Sequence, residues 1–167
     1  EQELYIESRG QYVRVIERWP ADTVAVHAAL GICRSLAALS PIPERDQTFT
    51  RQARLSCRQV AADFAGLVIG LTASRLADEM NLKLAEQDYD TGLHYLKRTL
   101  WDSALLYFEE VWTEYPDTEW APWALYQMIE AFGKIGYQRE AETTRDVLLE
   151  DYPDSEPAQL LLEDGNR

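Results

Sequence analysis

The chain has 167 residues, of which 46% are hydrophobic and 11% aromatic, and its net charge is −13 at pH 7. This composition is typical of a folded globular protein with one sizeable core. The charge argues against binding to nucleic acid or anionic lipid, because both are polyanions that repel an acidic protein. No run of eighteen apolar residues occurs, so the sequence predicts no membrane-spanning helix.

The charge is unevenly distributed along the chain. Residues 1–75 carry nine Arg against eight Asp or Glu, whereas residues 76–167 carry seven basic against twenty-one acidic residues. Two interpretations are open: the acidic half has solvated helix faces, or it meets a basic partner. The sequence begins at Glu1 without Met and shows no signal peptide, which indicates a removed leader or a fragment.

Apolar residues at helical intervals predict the first helices in chain order. The first covers Tyr5–Arg18 and ends at Trp19-Pro20, and the second reaches about Leu39, where Ser40–Pro43 forces extended backbone. The segment 40–50 is predicted to be an irregular insertion.

The next helix is predicted over Arg51–Ala65, with Thr48 or Thr50 as its N-cap. Gly66 predicts a turn after it. A helix from Ser74 then leads into Leu82–Arg98, and whether these form one long helix is left open by the pattern. The remaining predicted elements are helices over 102–115, 120–135 and 139–151, and a capping tail over 158–167.

One turn sequence recurs in the second half of the chain. Glu-Tyr-Pro-Asp-Thr at 114–118 is followed 37 residues later by Asp-Tyr-Pro-Asp-Ser at 151–155. A fixed period of this length is typical of stacked helical repeats.

The residues between these turns fit the tetratricopeptide pattern. With Ala104 as the small residue that opens a second helix, Gly92, Tyr95, Phe108 and Pro116 all take the expected positions. The small residues let two antiparallel helices approach, the aromatic ring fills the groove beside them, and proline ends the helix. In the following unit Ala141, Phe132 and Pro153 fit, while Ile129 and Arg145 depart from the pattern.

We therefore predict an all-α fold, a solenoid of tetratricopeptide-like helix hairpins wound as a right-handed superhelix. The whole chain, 1–167, is predicted to be a single repeat domain. Its hairpins are expected over residues 5–39, 51–80, 82–115 and 120–152.

The residues that usually carry catalysis or bind metals show no constellation. His27 and His94 lie in different repeats without metal-like spacing, and no phosphate-binding loop or nucleophile elbow occurs. Cys33 and Cys57 lack metal or redox spacing, and each is either a small core residue or one half of a disulfide. The sequence predicts no enzyme activity, no cofactor and no metal site.

Aromatic and basic residues supply the candidate partner-binding positions. Six aromatic residues crowd within residues 101–126, as inter-repeat packing or as part of a partner surface; they are Trp101, Tyr107, Trp112, Trp120, Trp123 and Tyr126. The partner-binding candidates among them are Trp101, Tyr107, Trp120 and Trp123. Lys97 and Arg98 end a helix in the acidic half, where they could anchor an acidic loop of a partner. Asp46, Gln47 and Arg51 are candidates too, with the bracing of the inserted loop as the slightly favoured alternative.

Several segments in order resemble the BamD family, the tetratricopeptide lipoproteins of the outer-membrane β-barrel assembly machinery. They are Arg45–Thr48, Leu84–Glu86, Tyr95–Arg98, Ala104–Phe108 and Tyr115–Thr118. The resemblance covers about residues 11 to 157.

The chain departs from the family pattern at three points. No lipobox is present, Ala65-Gly66-Leu67 replaces a Tyr-Pro-Asp-Ser turn, and Thr99 stands where glycine is expected after Arg98.

The resemblance implies a non-enzymatic scaffold at the periplasmic face of the outer membrane. It implies that the C-terminal repeats contact periplasmic domains of the barrel-forming subunit and that the N-terminal repeats lie nearer the incoming barrel precursors. It also implies other assembly lipoproteins as partners, and a lipid anchor as the sole membrane attachment. The alternatives are another cell-envelope adaptor resembling the Tol-Pal accessory proteins, a generic interaction scaffold, or the regulatory repeat domain of an enzyme.

Overall fold

The computed structural model describes residues 2–164, and within them the chain is 81% helical without strands. The predicted all-α, tetratricopeptide-like class is confirmed. The helices are α1 Gln2–Arg18, α2 Thr23–Leu39, α3 Thr48–Asp63, α4 Val68–Lys97, α5 Trp101–Glu114, α6 Trp120–Ile135, α7 Gln138–Asp151 and α8 Glu156–Asp164. None of the helices in this part of the chain combines the length and the apolarity needed to cross a bilayer.

The chain divides into two compact units, which we call the N-terminal unit, 1–84, and the C-terminal unit, 85–167. In the N-terminal unit α1 packs on α2 and α2 packs on α3; in the C-terminal unit α6 packs on α5, α7 and α8. The predicted boundary between the hairpins 51–80 and 82–115 lies inside α4, which is one continuous helix. The predicted tail 158–167 begins within α8, and its residues 165–167 lie outside the described part.

A disulfide lies in the core of the N-terminal unit. Cys33 of α2 and Cys57 of α3 are bonded, with an S–S distance of 2.06 Å, and both residues are fully buried. They belong to one cluster with the buried side chains of Val60 on α3 and Ala73 and Ala77 on α4. The alternative that the sequence left open is thus decided in favour of the disulfide.

Gln47 organises the irregular insertion before α3. Its side chain is fully buried, and its amide nitrogen donates to the carbonyls of Ile42, Pro43 and Arg45 at 2.7, 3.2 and 3.0 Å. The Thr50 hydroxyl donates to the Gln47 amide oxygen. The prediction of a threonine N-cap was wrong, because α3 already begins at Thr48 and Gln47 takes the N-cap position without a capping bond.

The core of the C-terminal unit confirms the close packing predicted around Gly92. Phe108 on α5 is fully buried, and a Cβ placed on Gly92 of α4 would lie 2.5 Å from its ring. Ala104 on α5 and Ala124 on α6 are fully buried as well. Small residues on the facing helices therefore allow the backbones to approach around the Phe108 ring.

The two Tyr-Pro-Asp turns have the same local structure. Tyr115 ends α5 and Tyr152 ends α7, and the backbone N–H of each donates to the carbonyl four residues earlier, at 3.1 Å in both cases. The following proline cannot extend either helix. The Tyr152 hydroxyl also donates to the Pro116 carbonyl at 2.9 Å, so the second turn is tied to the first.

Candidate partner-binding site

The basic turn Lys97–Leu100 joins α4 to α5 in the C-terminal unit. The Leu100 N–H donates to the Tyr95 carbonyl at 3.1 Å and the Thr99 N–H donates to the Leu96 carbonyl at 2.9 Å. This pair of bonds is the Schellman arrangement of a helix C-terminus. Lys97 then lies in the last turn of α4, where a positive charge is favoured by the helix dipole.

Thr99 adopts a left-handed backbone conformation, with φ of 58°. The equivalent turn after α6, which lies 37 residues later in the chain, has Gly136 at this position with φ of 84°. A β-branched residue with positive φ costs about 1–2 kcal/mol relative to its relaxed conformation. The basic turn therefore holds local strain that its glycine counterpart lacks.

The side chains around this turn combine charge and aromatic surface. Lys97 and Arg98 are exposed, and Trp101, the first residue of α5, is half-buried. Two helical turns further along α5, the ring of Tyr107 stacks on Tyr95, with centroids 5.5 Å apart and planes inclined by 15°. Four of the predicted residues thus lie on one short stretch, from the end of α4 through the first two turns of α5.

The phenol of Tyr107 is shifted away from ionisation. Desolvation raises its pKa first, and the neighbouring Tyr95, Asp88 and Glu110 raise it further. A side-chain hydrogen bond with Tyr95 also raises the pKa, so the neutral hydroxyl of Tyr107 is favoured and is already engaged with its stacking partner.

Trp120 is mainly a packing residue. Its ring lies against Tyr89 of α4, with centroids 5.1 Å apart, and its indole nitrogen is enclosed without an acceptor among residues 2–164. Tyr89 also packs on Phe108 at 5.6 Å, so these three rings connect α4, α5 and α6. Tyr89 was absent from the predicted site residues, although its spacing from Gly92 and Tyr95 places it on the same helix face.

Trp123 is half-buried on α6 and meets Tyr126 edge to face at 6.0 Å. It retains exposed area, in contrast to the fully buried Phe108. The tryptophans predicted as candidates therefore divide between ring packing at Trp120 and partly exposed positions at Trp101 and Trp123.

The other predicted residues lie in the N-terminal unit. Asp46 is exposed and accepts a hydrogen bond from the Thr48 backbone N–H at 3.1 Å, while Arg51 is exposed on α3. Hydrogen bonds from Thr48, followed by the charge of Arg51, hold the pKa of Asp46 below its ordinary value. Gln47 is enclosed within the loop that it braces, so its side chain offers no surface to a partner.

Grooves lie between neighbouring helices within each unit. One of about 450 Å³ lies between α6 and α7, lined by Ile129, Glu130, Lys134 and Arg145 among others. In the part of the chain that the structure describes, no three His, Cys, Asp or Glu residues come together as a metal site.

Helix hairpins joined by Tyr-Pro-Asp turns define a repeat protein of the tetratricopeptide type. A family model described as outer membrane lipoprotein, YfiO, matches residues 10–148, and the chain belongs to this family.

Three curated relatives bear the name outer membrane protein assembly factor BamD. The protein of Caulobacter vibrioides is 28% identical over 151 residues, which cover 89% of this chain and 49% of the relative. That of Rickettsia prowazekii is 31% identical over 110 residues, 66% of this chain and 44% of the relative. That of Vibrio cholerae is 33% identical over 76 residues, 46% of this chain and 32% of the relative. The chain thus spans about half the length of the first relative and less of the others.

Proposed function

We propose that this chain is a non-enzymatic scaffold in the assembly of outer-membrane β-barrel proteins. In this role it binds periplasmic domains of the barrel-forming subunit and helps the insertion of barrel precursors. The observation that carries the proposal is the family match over residues 10–148, together with relatives that are named assembly factors. The helix-hairpin fold supports it, because stacked hairpins act by presenting extended binding surfaces.

The basic turn is the proposed contact with the barrel-forming subunit. Lys97 and Arg98 are exposed cations in a C-terminal unit that is otherwise strongly acidic, so they suit an acidic loop on a partner. Trp101 and Tyr107 add aromatic surface beside them, and such residues are enriched at binding hot spots. The strained Thr99 supports a functional turn, since strain of this kind clusters at binding sites. Trp123 of α6 is half-buried and is a further candidate contact in the same unit.

The N-terminal unit is proposed to face the other components. Asp46 and Arg51 are exposed beside the braced loop and are candidates for contacts with barrel precursors or other assembly lipoproteins. The buried disulfide suits the periplasmic face of the outer membrane, because disulfides persist in oxidising compartments. Attachment to the membrane through a lipid anchor belongs to the same proposal.

Charge reversal at the basic turn tests the contact. We expect the double variant Lys97→Glu and Arg98→Glu to lower the affinity for the periplasmic domains of the barrel-forming subunit about tenfold, which corresponds to about 1.4 kcal/mol. The matched control, Lys134→Glu and Arg139→Glu, changes the charge of the same unit equally at other exposed positions. It is expected to change the affinity less than about threefold.

Binding is measured by calorimetry, and circular dichroism checks that both variants are folded. Equal losses in the two folded variants would show that net charge alone matters. Unchanged binding in the Lys97 and Arg98 variant would mean that these residues are only a solvated helix end.

A further inference from the structure

The turn between α3 and α4 exposes aliphatic side chains. Leu67, Val68 and Leu71 are 58%, 79% and 56% exposed. They lie in a stretch, residues 64–74, that contains no charged side chain. Leu67 stands where the family resemblance predicts a polar Tyr-Pro-Asp-Ser turn, so an aliphatic side chain replaces a polar turn residue here.

The backbone holds these side chains in place. Gly66 takes a left-handed conformation, with φ of 79°, and a Cβ on Gly70 would collide with the Phe64 carbonyl oxygen. The side chains of Phe64 and Ile69 pack against the disulfide-containing core. Phe64 and Ile69 thus anchor the turn to the core. The side chains of Leu67, Val68 and Leu71 are exposed to solvent on this anchored turn.

We propose that this turn inserts its aliphatic side chains into the acyl boundary of a phospholipid bilayer. A lipid surface fits better than a protein partner, because protein hot spots are enriched in Trp, Tyr and Arg and poor in Leu and Val. Aliphatic groups gain free energy in proportion to the area that leaves water, and they need no specific partner. The family of outer membrane lipoproteins brings its members to a bilayer, so the inference rests on the proposed location but requires no barrel subunit.

Charge favours a zwitterionic surface. The N-terminal unit carries ten basic and ten acidic residues, so its formal net charge is zero. It is therefore not repelled by anionic lipid, as the acidic C-terminal unit would be, and it has no net charge that would attract it to such lipid. The nearest charges along the chain are Asp63, which accepts a hydrogen bond from Gln59 at 2.8 Å, and Arg75. One charge of each sign therefore flanks the turn, as suits headgroups that carry both charges.

A fluorescent label on the turn tests insertion. The variant Val68→Cys, labelled with an environment-sensitive dye, is mixed with vesicles of phosphatidylcholine and phosphatidylethanolamine. Cys33 and Cys57 are paired and buried, so the label attaches to the new thiol. We expect a blue shift of the emission that saturates with lipid concentration. The matched control is Leu55→Cys, at a 74% exposed leucine on α3, and it should show no shift.

The affinity for vesicles should depend on the neighbouring leucines. Each methylene group withdrawn from water is worth about fourfold in partitioning, so Leu67→Ser with Leu71→Ser should weaken vesicle binding at least about tenfold. No shift up to millimolar lipid, or equal shifts at positions 68 and 55, would overturn the proposal. A shift that follows protein concentration without lipid would assign the turn to a second copy of the chain instead. The same leucine variant should keep its affinity for the barrel subunit, which separates this proposal from the proposed function.

Discussion

Removal of the disulfide is expected to destabilise the N-terminal unit strongly. The bridged cysteines are separated by 24 positions in the chain. In the loop-entropy model, a cross-link that closes a loop of this length restricts the unfolded chain by about 3.5 kcal/mol at 25 °C. The double variant Cys33→Ala and Cys57→Ala should lose at least this much, because it also removes packed sulfur atoms from a fully buried site. A unit of this size should then melt roughly 15–25 °C lower.

Urea unfolding followed by circular dichroism measures the loss, with the oxidised chain as the reference. A second curve for the unsubstituted chain, unfolded with a phosphine reductant present, isolates the cross-link from the effect of the alanines. Both curves should shift to lower urea by similar amounts. A loss below about 1 kcal/mol in both experiments would refute the reasoning, since the bond would then add little to the packing around it.

Three further substitutions test the packing and the turns by urea unfolding. Gly92→Ala should destabilise the chain by about 1–3 kcal/mol, because the added Cβ meets the Phe108 ring. Gly133→Ala is the matched control: its added Cβ meets no atom within 4 Å, and it should stabilise the chain by about 0.5–1 kcal/mol. Changes of the same sign in both variants would contradict the account. Thr99→Gly should stabilise by roughly 0.5–1 kcal/mol through relief of the left-handed strain, and a loss would contradict that strain. Gln47→Ala should cost about 2–3 kcal/mol, because it removes a fully buried amide that donates to three loop carbonyls and accepts from Thr50, and a cost below about 0.5 kcal/mol would exclude the bracing role.

The repeat units could be predicted because their determinants are local. Gly92, Phe108 and Pro116 act through spacing along the chain, which helical geometry converts directly into contacts. The turn at Gly66 could be predicted for the same reason, because a left-handed backbone conformation favours glycine at that position. These features therefore appeared in the structure where the pattern predicted them.

Other features depend on distances that the sequence does not contain. Cys33 and Cys57 pair because α2 and α3 bring their Cα atoms to 4.9 Å, and spacing alone left that open. Thr48 and Thr50 have the side chains of good N-caps. Gln47 nevertheless occupies the N-cap position of α3, and its side chain donates to carbonyls of the preceding loop instead of capping the helix.

The apolar stretch around Val68 resembles a core segment by composition. Its exposure depends on the packing of the helices, because Phe64 and Ile69 pack against the core while Leu67, Val68 and Leu71 remain in solvent. For the candidate site, the sequence indicated the basic and aromatic residues, whereas the division between ring packing and exposed surface required the positions of the helices.

Affinity purification from native outer membranes tests the central claim most directly. The chain, carrying a purification tag, is expressed in its own organism, and the membranes are extracted with a gentle detergent that preserves other envelope complexes. The account predicts co-purification of a β-barrel subunit with tandem periplasmic domains, reduced by Lys97→Glu with Arg98→Glu. Recovery of no such subunit, while control envelope complexes remain intact, would contradict the assembly role.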